Sequence, residues 1–170
     1  MRRAGGVLAA GLTVAATVLP AAADPLESFG TGMKYGLPLA AAVCAADQGR
    51  FEDFAVRGAL QAGLVLALKH FYGDAPIGRR PSGEGRGFPS GHAAAAAFGA
   101  ADLAGKCFDD QPWAGAAAYG AAGLAAYSRV HAGEHTPKQV WTGALIGFSF
   151  GAASFGIGKD GADFSVGLKF

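Results

Sequence analysis

The sequence predicts an all-α protein: an up-and-down bundle of about five helices, following a cleaved leader, with its ionisable residues gathered at one end. Three observations carry this. Five stretches of helical length are dominated by Ala, Leu and other apolar residues. The links between them are of two kinds, two rich in polar and ionisable residues and two plain. Strand-period alternation is missing until the last residues of the chain.

Taken in order, Arg2 and Arg3 precede an apolar run from Val7 to Leu19, and Ala21-Ala22-Ala23 follow Pro20. That pattern predicts a signal peptide over 1–23, cleaved after Ala23. A first transmembrane helix is the weaker reading, because the run is short and ends in Pro20 and small residues. Residues 24–170 are then one domain, long enough to bury a single core. Asp24 to Thr31 reads as a linker, and the first helix as roughly Lys34 to Ala46, with Pro38 tolerated near its start. The second helix covers Phe51 to Phe71, and the third starts after Ser90 and runs to about Lys106. The fourth, Trp113 to Tyr127, and the fifth, Val140 to Ile157, hold no charged residue. Phe164, Val166, Leu168 and Phe170 alternate with small or polar residues. That tail reads as a frayed terminus rather than a lone edge strand.

Counting ends places the chemistry. In an up-and-down bundle the end of the second helix, the start of the third, the end of the fourth and the start of the fifth share one face. Both rich links, Gly73 to Pro89 and Ser128 to Lys138, therefore meet there, and the first helix enters from the same side. Cys44 and Cys107 fall together at the opposite end. Two readings stay open for them, small core residues or one disulfide. A formal net charge of +1 and no basic stripe exclude a nucleic-acid partner.

At the rich end the chain supplies Lys69, His70, Arg79, Arg80, Arg86, Ser90, His92, Arg129, His131, His135 and Lys138, against Asp74, Glu84 and Glu134. Such a surplus of cations and imidazoles suits a multiply charged anion, and phosphate fits best. Ser90-Gly91 before an Ala-rich run sets unpaired N–H groups at a helix N-terminus, a second reason for an anion. Two imidazoles beside a phosphoryl group suit nucleophile and general acid. His131 and His70 read as supporting or solvated residues, Arg86 and Lys138 as rim charges. A metal site is disfavoured, since Gly133 breaks the helical spacing of His131 and His135 and no carboxylate or Cys completes a ligand set.

Lys69, Arg80-Pro81, Pro89-Ser90-Gly91-His92 and Ser128-Arg129-x5-His135 resemble the three-part signature of the type 2 phosphatidic acid phosphatase superfamily. That signature reads Lys-x6-Arg-Pro, Pro-Ser-Gly-His and Ser-Arg-x5-His-x3-Asp. The likeness runs from Lys69 to Gln139, and the order and gaps of three separated motifs make it specific. It implies a helical bundle with the active site at one end. It further implies that His135 attacks phosphorus and forms a phosphohistidine, and that His92 protonates the leaving oxygen and then activates water. Lys69, Arg80, Ser90, Gly91 and Arg129 would bind phosphate oxygens. No metal or other cofactor is implied.

Two positions depart from the pattern. Ten residues rather than six separate Lys69 from Arg80, which questions the reach of Lys69 and makes Arg79 a substitute. Gln139 stands where the family usually has Asp, a neutral partner for the nucleophile's second ring nitrogen. On the sequence alone, Gln139→Asp should preserve or raise turnover. The expected substrate is a phosphorylated lipid or a small phosphoester, and nothing sets an oligomeric state. The uncharged fifth stretch suggests membrane lipids as partners and an inner-membrane position with a periplasm-facing site; a soluble periplasmic acid phosphatase is the alternative. Rivals of another class are a vanadate-binding oxidant and a non-catalytic anion-binding membrane protein.

Overall fold

The computed structural model describes residues 24–158 and 161–166; the expected leader, Leu168 and Phe170 lie outside them. Five helices form the bundle: α1 (Pro25–Asp47), α2 (Phe51–Tyr72), α3 (Gly91–Asp102), α4 (Pro112–His131) and α5 (Pro137–Ala152). A single 3-10 turn, Pro76–Gly78, interrupts the link into α3, and a π-turn, Leu103–Cys107, ends it. Strands β1 (Ala153–Gly158) and β2 (Gly161–Val166) follow and pair antiparallel.

The first helix begins well before Lys34. Asp24 caps it, its carboxylate accepting from Leu26 N–H at 2.8 Å and Glu27 N–H at 3.4 Å, and Pro25 occupies the first turn. An acceptor followed by Pro satisfies the orphan donors and presets φ, so the expected linker is helical. The fifth helix, in contrast, stops at Ala152 rather than Ile157 because Ala153 turns extended, at φ −71° and ψ 157°. The tail expected to fray is ordered over 161–166, since the chain leaving α5 provides its partner, with Ala153 opposite Val166 and Phe155 opposite Phe164.

α3 is the central element. Eight of its residues, among them Ala94, Phe98 and Ala101, are buried. Around it Leu37, Ala41, Phe54, Phe98, Leu103 and Ala122 make the core. Small residues let the helices approach closely. A Cβ on Gly143, Gly147 or Gly151 of α5 would collide with the Ser90, Ala94 or Phe98 carbonyl oxygen, and one on Gly99 would strike the α1 backbone at Leu37–Pro38. The glycine stripe therefore fixes the start of α5 against the start of α3, the two elements that carry the histidine motifs.

Cys44 and Cys107 are joined in a disulfide at the end remote from the rich links. None of the described helices is long and apolar enough to cross a membrane. The expected membrane-length fifth helix is corrected to 16 residues. Large apolar side chains nevertheless lie exposed on four helices, Leu39 and Val43 on α1, Leu60 and Leu66 on α2, Leu124 and Tyr127 on α4, Trp141 and Leu145 on α5.

Candidate active site

The two rich links converge at one end of the bundle. Ser90 N-caps α3, its hydroxyl 3.5 Å from the Ala93 N–H, and is fully buried. Its own N–H donates to the Gln139 carbonyl at 2.9 Å, joining the start of α3 to the start of α5. The Phe88–Pro89 peptide just before it is cis. α4 ends at His131, and Gly133, at φ +67°, makes the left-handed turn that brings Glu134 and His135 back over the bundle. Thr136 then opens α5 with a capping box: its hydroxyl accepts from Gln139 N–H, and the Gln139 side chain accepts from Thr136 N–H.

Gln139 is the keystone of the site. It is almost wholly buried, and its Oε1 lies 3.1 Å from Thr136 N and 3.2 Å from His135 Nδ1. Its Nε2 donates to the carbonyls of Ile77 at 2.9 Å and Arg79 at 2.8 Å. Two carbonyls can only accept, so the amide orientation is determined, and Oε1 must be the atom facing the imidazole. His135 therefore carries its proton on Nδ1 and keeps the lone pair on Nε2. Gly87 has no side chain because a Cβ there would press on the Gln139 amide.

This geometry reverses the expectation for aspartate at position 139. A carboxylate has no donor for the Ile77 and Arg79 carbonyls, would oppose their dipoles, and is one carbon short of His135. Gln139→Asp is expected to lower kcat about 10- to 100-fold, the usual effect of losing a partner that orients a reactive histidine. It should also lower the melting temperature, since two part-buried carbonyls lose their donor, at about 1 kcal/mol each. Steady-state kinetics and a thermal melt of the variant check both; equal or faster turnover would restore the sequence-based reading.

The cations converge on the same spot. Lys69 does approach: its Cε lies 3.8 Å from where Gly91 would carry a Cβ, and its Nζ donates to the Arg86 carbonyl at 2.9 Å. The residues between Lys69 and Arg80 loop out through the Pro76–Gly78 turn. Burial, then Arg80, push the Lys69 ammonium down to about 8. Arg79 is exposed, with its guanidinium on the Asp74 carbonyl, and serves the site only through its backbone. Arg80 and Arg129 meet over Glu134, whose Oε2 is 2.7 Å from Arg80 Nη1 and 3.7 Å from Arg129 Nη2. Each arginine also keeps a buried Nε–H with no partner among the described residues. Buried orphan donors on two facing guanidiniums are costly unless an anion accepts from them.

α1 adds residues that the sequence left out of the site. Glu27 pairs with Arg129 Nη1 at 3.2 Å, and Lys34 lies close enough to lower the His92 pKa. The Asp24-Pro25 pair followed by Glu27 was the available signal, a helix start rather than a linker. His131 is exposed and pairs with Asp24 at 3.2 Å; His70 and Lys138 are exposed.

Both site histidines are held neutral. His92 is lowered from 6.5 to about 4 by burial first, then by Arg129, Lys34, His135 and Lys69. His135 falls to about 4 through burial, with the Gln139 bond opposing and Lys69, Arg80 and Arg129 adding to the fall. The unfolded chain takes up these protons first, so the stability present above about pH 6.5 is lost as pH falls towards 4. The melting temperature is expected to drop across that window. It should drop less in phosphate, whose charge favours the imidazolium forms, and less in a His92→Asn, His135→Asn double variant. Melts at pH 7.5 and 4.5 with and without phosphate check this.

A sequence profile described as the PAP2 superfamily matches residues 53–160. That span holds all three motifs and both arginines that face Glu134. Neither a search of curated proteins nor one of solved structures returned a match.

Proposed function

The chain belongs to the PAP2 superfamily, a superfamily of phosphatases, and from that premise we propose that it hydrolyses phosphomonoesters or pyrophosphates through a phosphohistidine on His135. One observation carries the proposal. An imidazole with its tautomer fixed by Gln139 stands beside two buried guanidinium Nε–H groups that lack acceptors. His135 Nε2 attacks phosphorus, and the bond from phosphorus to the leaving oxygen breaks. His92, protonated once the phosphate charge offsets its cationic neighbours, gives its proton to that oxygen. His92 then takes a proton from water, whose oxygen attacks phosphorus, and the P–N bond breaks to release phosphate and neutral His135.

Arg80, Arg129 and Lys69 stabilise the charge that grows on the equatorial oxygens, and the Gly91 N–H at the start of α3 adds a backbone donor. Glu134 bridges the two arginines and yields to the phosphate. The residues present need no metal for these steps. Lipid phosphates are the substrates this reading favours, because Leu39, Leu60, Trp141 and Leu145 expose apolar surface suited to a membrane. The Cys44–Cys107 disulfide supports an oxidising compartment, in keeping with an inner-membrane position and a periplasm-facing site.

The direct test is to trap the intermediate. Protein mixed with phosphoester labelled in the phosphoryl group and quenched in alkali within one turnover should carry label that alkali spares and acid removes, on the peptide containing His135. Turnover without such label, or label on another residue, would overturn the mechanism.

A further inference from the structure

Glu134 fills one of the unspecified positions between Arg129 and His135, yet its carboxylate lies between the two guanidiniums of the site. Its Oε2 is 2.7 Å from Arg80 Nη1 and 3.7 Å from Arg129 Nη2. A second carboxylate, Glu27, stands 3.2 Å from Arg129 Nη1. It comes from α1, which precedes the stretch matched by the superfamily profile. Glu84 is a looser third, 3.8 Å from Arg80 Nη1 and about three-quarters exposed. Of the three, Glu134 alone reaches both arginines.

The carboxylates satisfy these arginines only in part. They take Nη atoms and leave the buried Nε–H of Arg80 and of Arg129 without an acceptor among the described residues. A carboxylate brings one charge and two oxygens, whereas a phosphoryl dianion brings two charges and three oxygens and can accept from both forks. The partners also differ in their freedom to move. The Glu134 side chain is 36% exposed, against 24% for Arg80 and 7% for Arg129. Its backbone is pinned, the Glu134 N–H donating to the Arg129 carbonyl at 3.0 Å. The side chain can therefore swing out while His135 and both arginines stay in place.

We infer that Glu134, assisted by Glu27, is an internal competitor of phosphate, which weakens the hold of the site on phosphoryl groups and speeds the release of product. The inference rests on the phosphatase reading of the site and adds to it the residues that set affinity. Orthophosphate left after the P–N bond breaks stays on the donors that bound the substrate. Arg80, Arg129, Lys69 and the start of α3, unopposed, would retain it. A carboxylate that competes for the same guanidiniums subtracts equally from substrate and product binding. It thus raises KM and the inhibition constant of phosphate together and leaves the chemical step alone.

The test is Glu134→Gln, which keeps the shape and removes the charge. It should lower both the KM of a phosphomonoester and the inhibition constant of inorganic phosphate about tenfold, the size of one charge-assisted hydrogen bond. The value of kcat should not rise. Glu27→Gln, which frees one arginine, should lower both constants about two- to fourfold, as for a partly exposed ion pair. The double variant should gain less than the product of the two effects, because both carboxylates act on Arg129. Glu84→Gln should leave both constants alone. Structural damage weakens binding, so tighter binding cannot come from it. An unchanged or raised inhibition constant in a Glu134→Gln protein that melts like the wild type would overturn the inference.

A binding arm separates this inference from the phosphatase reading. Inorganic phosphate is titrated calorimetrically into His135→Ala and into the His135→Ala, Glu134→Gln double variant, neither of which depends on turnover for its signal. A lower Kd in the double variant, with no ester hydrolysed by the wild type, would sink the phosphatase reading and leave the competitor standing. Equal Kd values in the two, with ester hydrolysis and a labelled His135 in the wild type, would overturn the competitor and leave the phosphatase reading intact.

Discussion

Replacing His135 with alanine is expected to lower kcat by at least about four orders of magnitude for every phosphoester the protein turns over, the scale seen when a covalent nucleophile is removed. The reason is local. His135 Nε2 is the atom that Gln139 leaves unprotonated, and burial, which lowers the ring's pKa to about 4, keeps it neutral through the physiological range. No second side chain stands ready to replace it, since His92 is assigned the proton transfers. Binding should survive, because Arg80, Arg129, Lys69 and the α3 N-terminus remain. The variant is thus expected to bind phosphate or an alkylphosphonate with affinity within a few-fold of wild type while failing to turn over. His92→Ala should be milder, about 10²–10⁴-fold, the usual contribution of a positioned acid–base. Phosphate release and isothermal titration on the three proteins check the pattern. Retained turnover without His135 would end the phosphohistidine mechanism, and lost binding would show the imidazole to be structural.

The sequence carried the architecture further than the fine geometry. Counting helix ends brought Lys69, His92, Arg129 and His135 to one face and Cys44 with Cys107 to the other, because alternation of direction follows from short links alone. It missed the start of α1, since the polar and small residues of Asp24 to Thr31, Ser28, Gly30 and Thr31 among them, look like a linker. Gly30 is instead a contact, placed where a Cβ would strike the Ser128 hydroxyl. The end of α5 was misjudged for the converse reason. Ala152-Ala153-Ser154-Phe155 is as acceptable in a helix as in a strand, and only the arrival of Gly161–Val166 as a pairing partner decides it.

The role of Gln139 was half legible. That it partners His135 follows from spacing; that it must also donate depends on where the link from Gly73 to Pro89 sets the Ile77 and Arg79 carbonyls. Nor could a linear reading pair Glu134 with Arg80 across 54 residues. Arg57 and Asp102, charges within otherwise apolar stretches and 45 residues apart, are each other's partners.

That pair supports the last expectation, a loss of about 3–5 kcal/mol in Asp102→Leu, the cost of stranding buried charge. Asp102 is fully buried and accepts from three cations: Arg57 at 2.7 Å, Arg50 at 2.9 Å and Lys106 at 3.3 Å. Those cations have a second task. Arg57 Nη1 donates to the Phe150 and Gly151 carbonyls, and Lys106 Nζ to Gly151 and Ala153, so together they satisfy the orphan acceptors where α5 ends. Lys106 is already held below its usual range by burial and by Arg57, with Asp102 opposing. Without Asp102 it is pushed further towards the neutral amine, and Arg57 keeps Asp53 as its one anionic partner among the described residues. Loss on this scale is a large share of a domain's total stability, and urea denaturation should show it as a lower midpoint at similar slope. An Asp102–Arg57 double-mutant cycle should return a coupling above about 1 kcal/mol, as expected for residues in one network. A coupling near zero would mean that packing, not charge, holds the far end of α5. The distinction bears on catalysis, because α5 carries Gln139 at its other end, and a helix loosened at Ala152 would release the amide that fixes His135.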